Sequence, residues 1–157
     1  MFLFVVKSEI VQFIFYMMLL VFGGAAEEML PKFIGVGFPI LLAMVLVVAA
    51  RRTVPVMVIF ACAAGAMEDS LSGLPVATSA SFFLASATLI RFPNFPRGPL
   101  MVLAYPFYQL WLNVWDSNLN GGVFNRVLLA LPIGIVVIVV IALMMKWAER
   151  KVAMDEG

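Results

Sequence analysis

The chain has 157 residues, of which 64% are hydrophobic and only 12% charged, with a mean hydropathy of +1.10. Soluble domains are about half apolar and about a quarter charged, so this sequence carries too little polar surface to cover a water-soluble globule. Ten Lys and Arg against nine Asp and Glu leave no basic excess for nucleic acid, and the lack of any histidine removes Ser-His-Asp, Cys-His and most zinc chemistry.

The apolar runs are long and do not alternate with period two, so they predict helices, the open-chain solution that satisfies every backbone polar group in hydrocarbon. The first predicted helix covers 8–24 and is broken by Glu27, Glu28, Pro31 and Lys32. The Gly23-Gly24-Ala25-Ala26 step resembles a signal-peptidase site, but Lys7 and Glu9 at the edge of the run and the five runs that follow argue for a retained helix. The second covers 33–50, kinked at Pro39 and closed by Arg51-Arg52. The third covers 54–68 and ends at Glu68-Asp69. It contains the one cysteine, Cys62, read as an inert packing residue. The fourth covers 76–90 and ends at Arg91 before Pro93, Pro96 and Pro99. The fifth covers 99–115, with Pro106 inside it, and the sixth 125–148, with Pro132.

A perpendicular span takes roughly 20 residues. The second and sixth runs meet that length, and the third and fourth fall short of it. The expected fold is an all-α membrane protein, a single domain over 1–157 with six transmembrane helices in a compact bundle. Lys and Arg accumulate on cytoplasmic loops. With both termini inside, Lys7, Arg51, Arg52, Arg91, Arg97, Lys146, Arg150 and Lys151 are cytoplasmic, and only Lys32 and Arg126 lie outside. An odd number of spans spoils this partition.

The segment Gly65-Ala-Met-Glu68-Asp69-Ser-Leu-Ser-Gly73-Leu-Pro75 sets two adjacent carboxylates between apolar runs. Carboxylates at a bilayer are costly and often functional. Glu68 and Asp69 fit an interfacial loop, a contact to a partner's membrane segment, or an ion or proton site; adjacent helical residues diverge by about 100°, against one shared ligand. Asp69 is also suited to accept backbone N–H bonds as a cap or turn residue. Gly73 and Pro75 predict a tight re-entry into the next helix. Ala77, Ser81 and Ala85 recur every four residues along the fourth helix, as do Ala61 and Gly65 along the third. Such rows let helices approach closely in lipid, within one chain or between two. Tyr16, Tyr105, Tyr108, Trp111, Trp115 and Trp147 fall near predicted interfaces, and the fifth helix with Asn113, Asp116, Asn118 and Asn120 reads as an aromatic belt with a polar end or as a small-molecule pocket. Phosphate loops, dinucleotide fingerprints, paired CxxC and HExxH are absent. No catalytic, cofactor-binding or metal residue is expected.

Gly65, Asp69, Gly73 and Pro75, with Pro31 before the second run and Arg51-Arg52 after it, give a layout that resembles the bacterial rod-shape-determining MreD family. The family tends to place glycine where this chain has Ala77, and Glu68 beside Asp69 is unusual for it. The resemblance implies a non-catalytic scaffold of the cell-elongation machinery (the elongasome) in the bacterial cytoplasmic membrane, acting in cell shape and peptidoglycan synthesis. It implies a single-span partner, MreC, and through it the MreB filament and RodA with its penicillin-binding partner. Gly65, Glu68, Asp69, Gly73, Pro75, Ala77, Ser81 and Ala85 are then the candidate partner-contact or structural residues. The helical fold it implies is similar to the substrate-binding subunits of vitamin transporters, and a small-molecule binding subunit of an importer is the rival reading. A proton-coupled transporter using Glu68 or Asp69 ranks below both, for want of a His relay or an inverted repeat.

Overall fold

The computed structural model describes residues 2–34, 39–93, 97–115, 132, 134–144 and 146–147, all of the regular structure among them helical. Five helices are α1 (Phe2–Ile34), α2 (Ile40–Arg51), α3 (Val54–Ser72), α4 (Thr78–Arg91) and α5 (Arg97–Trp115). A further short apolar helix, α6, covers Gly134–Met144.

The lengths differ from the sequence expectation in an instructive way. Helix α1 does not break at Glu27, Glu28, Pro31 or Lys32 but runs through to Ile34. Its charges are accommodated on the helix surface: Lys32 Nζ bonds Glu28 Oε1 at 3.0 Å, one turn apart, while Glu27 is directed at the next helix. Helix α2 is only 12 residues long, and Pro39 initiates it instead of kinking it. The third helix, expected to be short, continues past Glu68 to Ser72, and at 19 residues it is the one among the described residues that is long and apolar enough to cross a membrane.

Helix α2 forms the centre of the bundle. Every residue from Ile40 to Ala49 is buried, with Leu41 and Val48 fully so. A helix apolar all round must be enclosed by others, and α2 contacts α1, α3, α4 and α5. Its C-terminal residue Arg52 turns extended (φ −108°), and α3 begins two residues later with Pro55 in its first turn, where the missing N–H costs nothing.

Helices α3 and α4 form the tightest pair. Ala61, Ala64 and Gly65 are buried on the α3 side. A Cβ added to Gly65 would collide with the backbone of Ala80, so these two helices touch backbone to backbone. The α4 side of the contact runs through Ala80. The row Ala77, Ser81, Ala85 is exposed, whereas Thr78, Ser79, Phe83, Ser86, Ala87 and Ile90 are buried. Cys62 is likewise on the outer face of α3, outside the core.

The reversal between α3 and α4 is built from backbone chemistry. Gly73 takes the left-handed conformation (φ 65°) just past the end of α3, and the N–H groups of Gly73 and Leu74 both bond the carbonyl of Asp69. This is a Schellman closure, which needs a residue that tolerates positive φ at that position. Pro75 follows, and its carbonyl accepts Thr78 N–H at 3.1 Å. Helix α4 ends where Phe92 is extended (ψ 127°), as the residue before Pro93 must be.

Candidate functional site: a buried carboxylate cluster at the helix ends

Helices α2 and α4 start at the same end of the bundle, and neither has a cap of its own. Their N-cap residues are Pro39 and Ala77, which have no side-chain oxygen, and no side-chain cap bond is made by either. Each is capped instead from the preceding helix. Glu27 of α1 accepts Leu41 N–H on Oε2 at 2.9 Å. Asp69 of α3 accepts Ser79 N–H on Oδ1 at 2.7 Å. Leu41 and Ser79 both occupy the second turn-forming position of their helices, whose N–H groups lack intrahelical acceptors. Each carboxyl group therefore accepts an N–H that its neighbouring helix leaves without an acceptor, an arrangement worth about 1 kcal/mol.

Glu68 completes the cluster. It is 5% exposed, as is Asp69. Ser72 Oγ donates to Glu68 Oε1 at 3.1 Å, and the Glu27 carboxyl and the Tyr108 hydroxyl face the same group. Glu68 Oε2 and Asp69 Oδ2 are buried without a hydrogen-bond donor.

Helix α5 closes the cluster over. The Tyr108 hydroxyl lies 2.9 Å from Ser79 Oγ, and Trp111 Nε1 donates to the Thr78 carbonyl at 3.0 Å. Phe82 and Phe83 pack on the Tyr108 ring, with centroids 5.1 and 5.3 Å away. Tyr16, Tyr105 and Tyr108 are buried, so these tyrosines are part of the interior and not of an aromatic belt; Trp147 is exposed. Residues Asn113, Asp116, Asn118 and Asn120, expected to help form a pocket mouth, lie outside the described side chains.

The eight residues singled out in the sequence divide into two groups. Gly65, Glu68 and Asp69 are buried, Gly65 and Asp69 against α4 and Glu68 beside Glu27 and Tyr108, while Gly73, Pro75, Ala77, Ser81 and Ala85 are exposed. Glu27, Ser79, Tyr108 and Trp111 belong to the cluster although their roles were not read from the sequence. The signal that identifies Glu27 and Asp69 as caps is the pair of helix starts that cannot cap themselves, Pro39 and Ala77. Among the described residues, no three acidic, Cys or His side chains are grouped so as to hold a metal ion. No family model, no curated protein and no solved structure matches the chain.

Proposed function

We propose that the chain is a multi-pass scaffold of the cytoplasmic membrane, of the kind found in the bacterial cell-elongation machinery, and that it binds the membrane helix of a single-span partner resembling MreC. Six helices cross or enter the bilayer in this reading, with both termini cytoplasmic. The partner in turn links the scaffold to an MreB-like filament and to a RodA-type synthase with its penicillin-binding companion.

The observation that carries this reading is the outward row on α4. Ala77, Ser81 and Ala85 are exposed at four-residue spacing, with Val76 beside them 95% exposed. A row of small side chains lets a second helix approach closely, and in lipid that approach is favoured by dispersion and interhelical hydrogen bonds. The inward side of the same hairpin is held by Gly65, by Asp69 on Ser79 and by Trp111 on Thr78. The partner therefore meets a rigid edge whose shape is set from within. The carboxylates serve as caps and internal ties in this account, and chemistry on a substrate is not required of them.

The test is co-purification in mild detergent with an MreC-type single-span membrane protein co-expressed with this chain. Ser81→Leu places a branched side chain on the outward row without entering the core. It should abolish or strongly reduce recovery of the partner at normal expression, while Ser70→Leu, exposed on α3, should not. Full recovery with Ser81→Leu would exclude α4 as the docking face. A monodisperse chain in detergent-free buffer would exclude the membrane reading altogether.

A further inference from the structure

The bundle is electrically polar. The four acids with described side chains, Glu27, Glu28, Glu68 and Asp69, belong to the end where α1 and α3 finish and α2 and α4 start. At the opposite end stand Arg51 and Arg52, which close α2, Arg91, which closes α4, and Arg97, which opens α5. Three of them are anchored there: Arg91 Nη1 donates to the Arg52 carbonyl, Arg52 lies over the Tyr16 ring at 5.6 Å, and Arg51 Nη2 donates to the Ala142 carbonyl at 3.2 Å. Arg51, Arg91 and Arg97 are exposed.

The same end holds a gap between helices. Helices α4 and α5 are tied at the acidic end by Trp111, Tyr108 and Phe82. Toward the arginine end an apolar groove of about 330 Å³ separates them, its walls including Leu89, Ile90, Leu100, Leu103 and Phe107. Ile90 precedes Arg91, and Leu100 lies three residues after Arg97, so the groove reaches the helix ends that carry these two arginines. Leu89, Leu103 and Phe107 are 44%, 48% and 58% exposed along it.

We propose that this groove is a binding site for an anionic glycerophospholipid, with the phosphate held by Arg91 and Arg97 and one acyl chain lying between α4 and α5. Charge complementarity selects the occupant. Guanidinium groups pair well with phosphate oxygens through several N–H donors, and basic sites between membrane helices recognise anionic headgroups. An apolar groove of this size matches an acyl chain, and its one hydroxyl residue, Ser86, gives a polar ligand little to bind. The site rests on the bilayer reading above. It touches the proposed partner row only at Ala85, where groove and row meet, so a bound lipid would form one flank of the surface the partner sees.

The experiment uses the full chain, purified in mild detergent, stripped of lipid, and returned to phosphatidylglycerol or phosphatidylcholine. Phosphatidylglycerol should raise the thermal midpoint more than phosphatidylcholine, and native mass spectrometry should show it retained. Arg91→Gln with Arg97→Gln should reduce that preference about thirtyfold, at roughly 1 kcal/mol per basic residue. Lys32→Gln, at the acidic end, should leave it unchanged. If the double variant folds poorly because Arg91 also holds the Arg52 carbonyl, the exposed Arg97→Gln alone and the groove-filling Leu103→Trp each still test the site. Both should lower lipid retention in a chain of unaltered midpoint without lipid. Equal effects of the two lipids, or undiminished preference in Arg97→Gln and Leu103→Trp, would overturn the proposal. Equal stabilisation by inorganic phosphate would do so as well, since the groove would then contribute nothing. These outcomes are separate from failure of the membrane reading, which would show itself as solubility without detergent.

Discussion

Helix α4 meets its two neighbours in opposite ways. Against α3 it comes backbone to backbone, with Gly65 beneath Ala80 and Asp69 bonded to Ser79 N–H. Against α5 it is pinned at one end and open at the other, across a groove lined by Leu89, Leu100 and Leu103. The first contact leaves no room for an extra methyl group, and the second leaves an apolar groove of about 330 Å³. The difference follows from side-chain size: Ala61, Ala64 and Gly65 let two backbones approach, while Phe107, Leu100 and Leu103 hold them apart.

The largest effect should come from adding one carbon to the tight contact. Gly65→Ala drives its Cβ into the Ala80 backbone, which cannot rotate away, so the helices must separate at a cost of about 3 kcal/mol. Gly24→Ala is the matched control. There the added Cβ meets the thioether end of Met67, a flexible group that can change rotamer, and the gain in helix propensity of about 1 kcal/mol offsets the rearrangement. Thermal unfolding of both variants in the same detergent should show a large drop for Gly65→Ala and little change for Gly24→Ala. Equal drops would mean that the α3–α4 contact is no tighter than the rest of the molecule.

The next effect concerns the cap made across helices. Asp69→Ala leaves Ser79 N–H buried without an acceptor, which costs about 1–3 kcal/mol. Asp69→Asn retains an oxygen and loses only the charge at the helix N-terminus, a change of about 0.3–1 kcal/mol. Amide exchange at Ser79 should speed up strongly in the alanine variant and weakly in the asparagine one, with α5 amides unaffected. Comparable acceleration in both would mean that the negative charge, and not the hydrogen bond, supports the start of α4.

Much of this fold is legible in the sequence where a local rule governs. The turn at Gly73 and Pro75, the end of α4 before Pro93 and the start of α3 at Pro55 all follow from backbone restrictions on one or two residues. Helix α1 does not, because Glu27, Glu28 and Lys32 look like a break until their partners are known. Glu28 and Lys32 pair with each other, and Glu27 serves Leu41, 14 residues away. The same limit applies to the cluster. Asp69 reads as a capping residue from its type and place, but its recipient, Ser79, is set by how the hairpin closes. Tyr108 and Trp111 read as interfacial aromatics, since nothing in their own helix reveals that Ser79 and Thr78 will be opposite them. Which way the small-residue rows face depended on a rotation of α4 that the four-residue spacing alone does not fix.

The smallest effect sharpens the hairpin comparison in the opposite direction, by removing strain. Ala77 has φ 70°, the left-handed conformation, and is the one non-glycine residue with positive φ among those described. A Cβ in that conformation costs about 1–2 kcal/mol. Glycine there would relieve the strain but loosen the unfolded chain by about 0.4–1 kcal/mol, so Ala77→Gly should raise stability by about 0.5–1 kcal/mol. Ala85→Gly on the same exposed row has ordinary helical geometry and should lose about 1 kcal/mol. Opposite shifts of the thermal midpoint for two identical substitutions, eight positions apart on one helix, would isolate backbone conformation as the cause. The turn demands a left-handed residue at this position, and alanine bears the cost while Asp69 and the Gly65–Ala80 contact hold the hairpin closed around it.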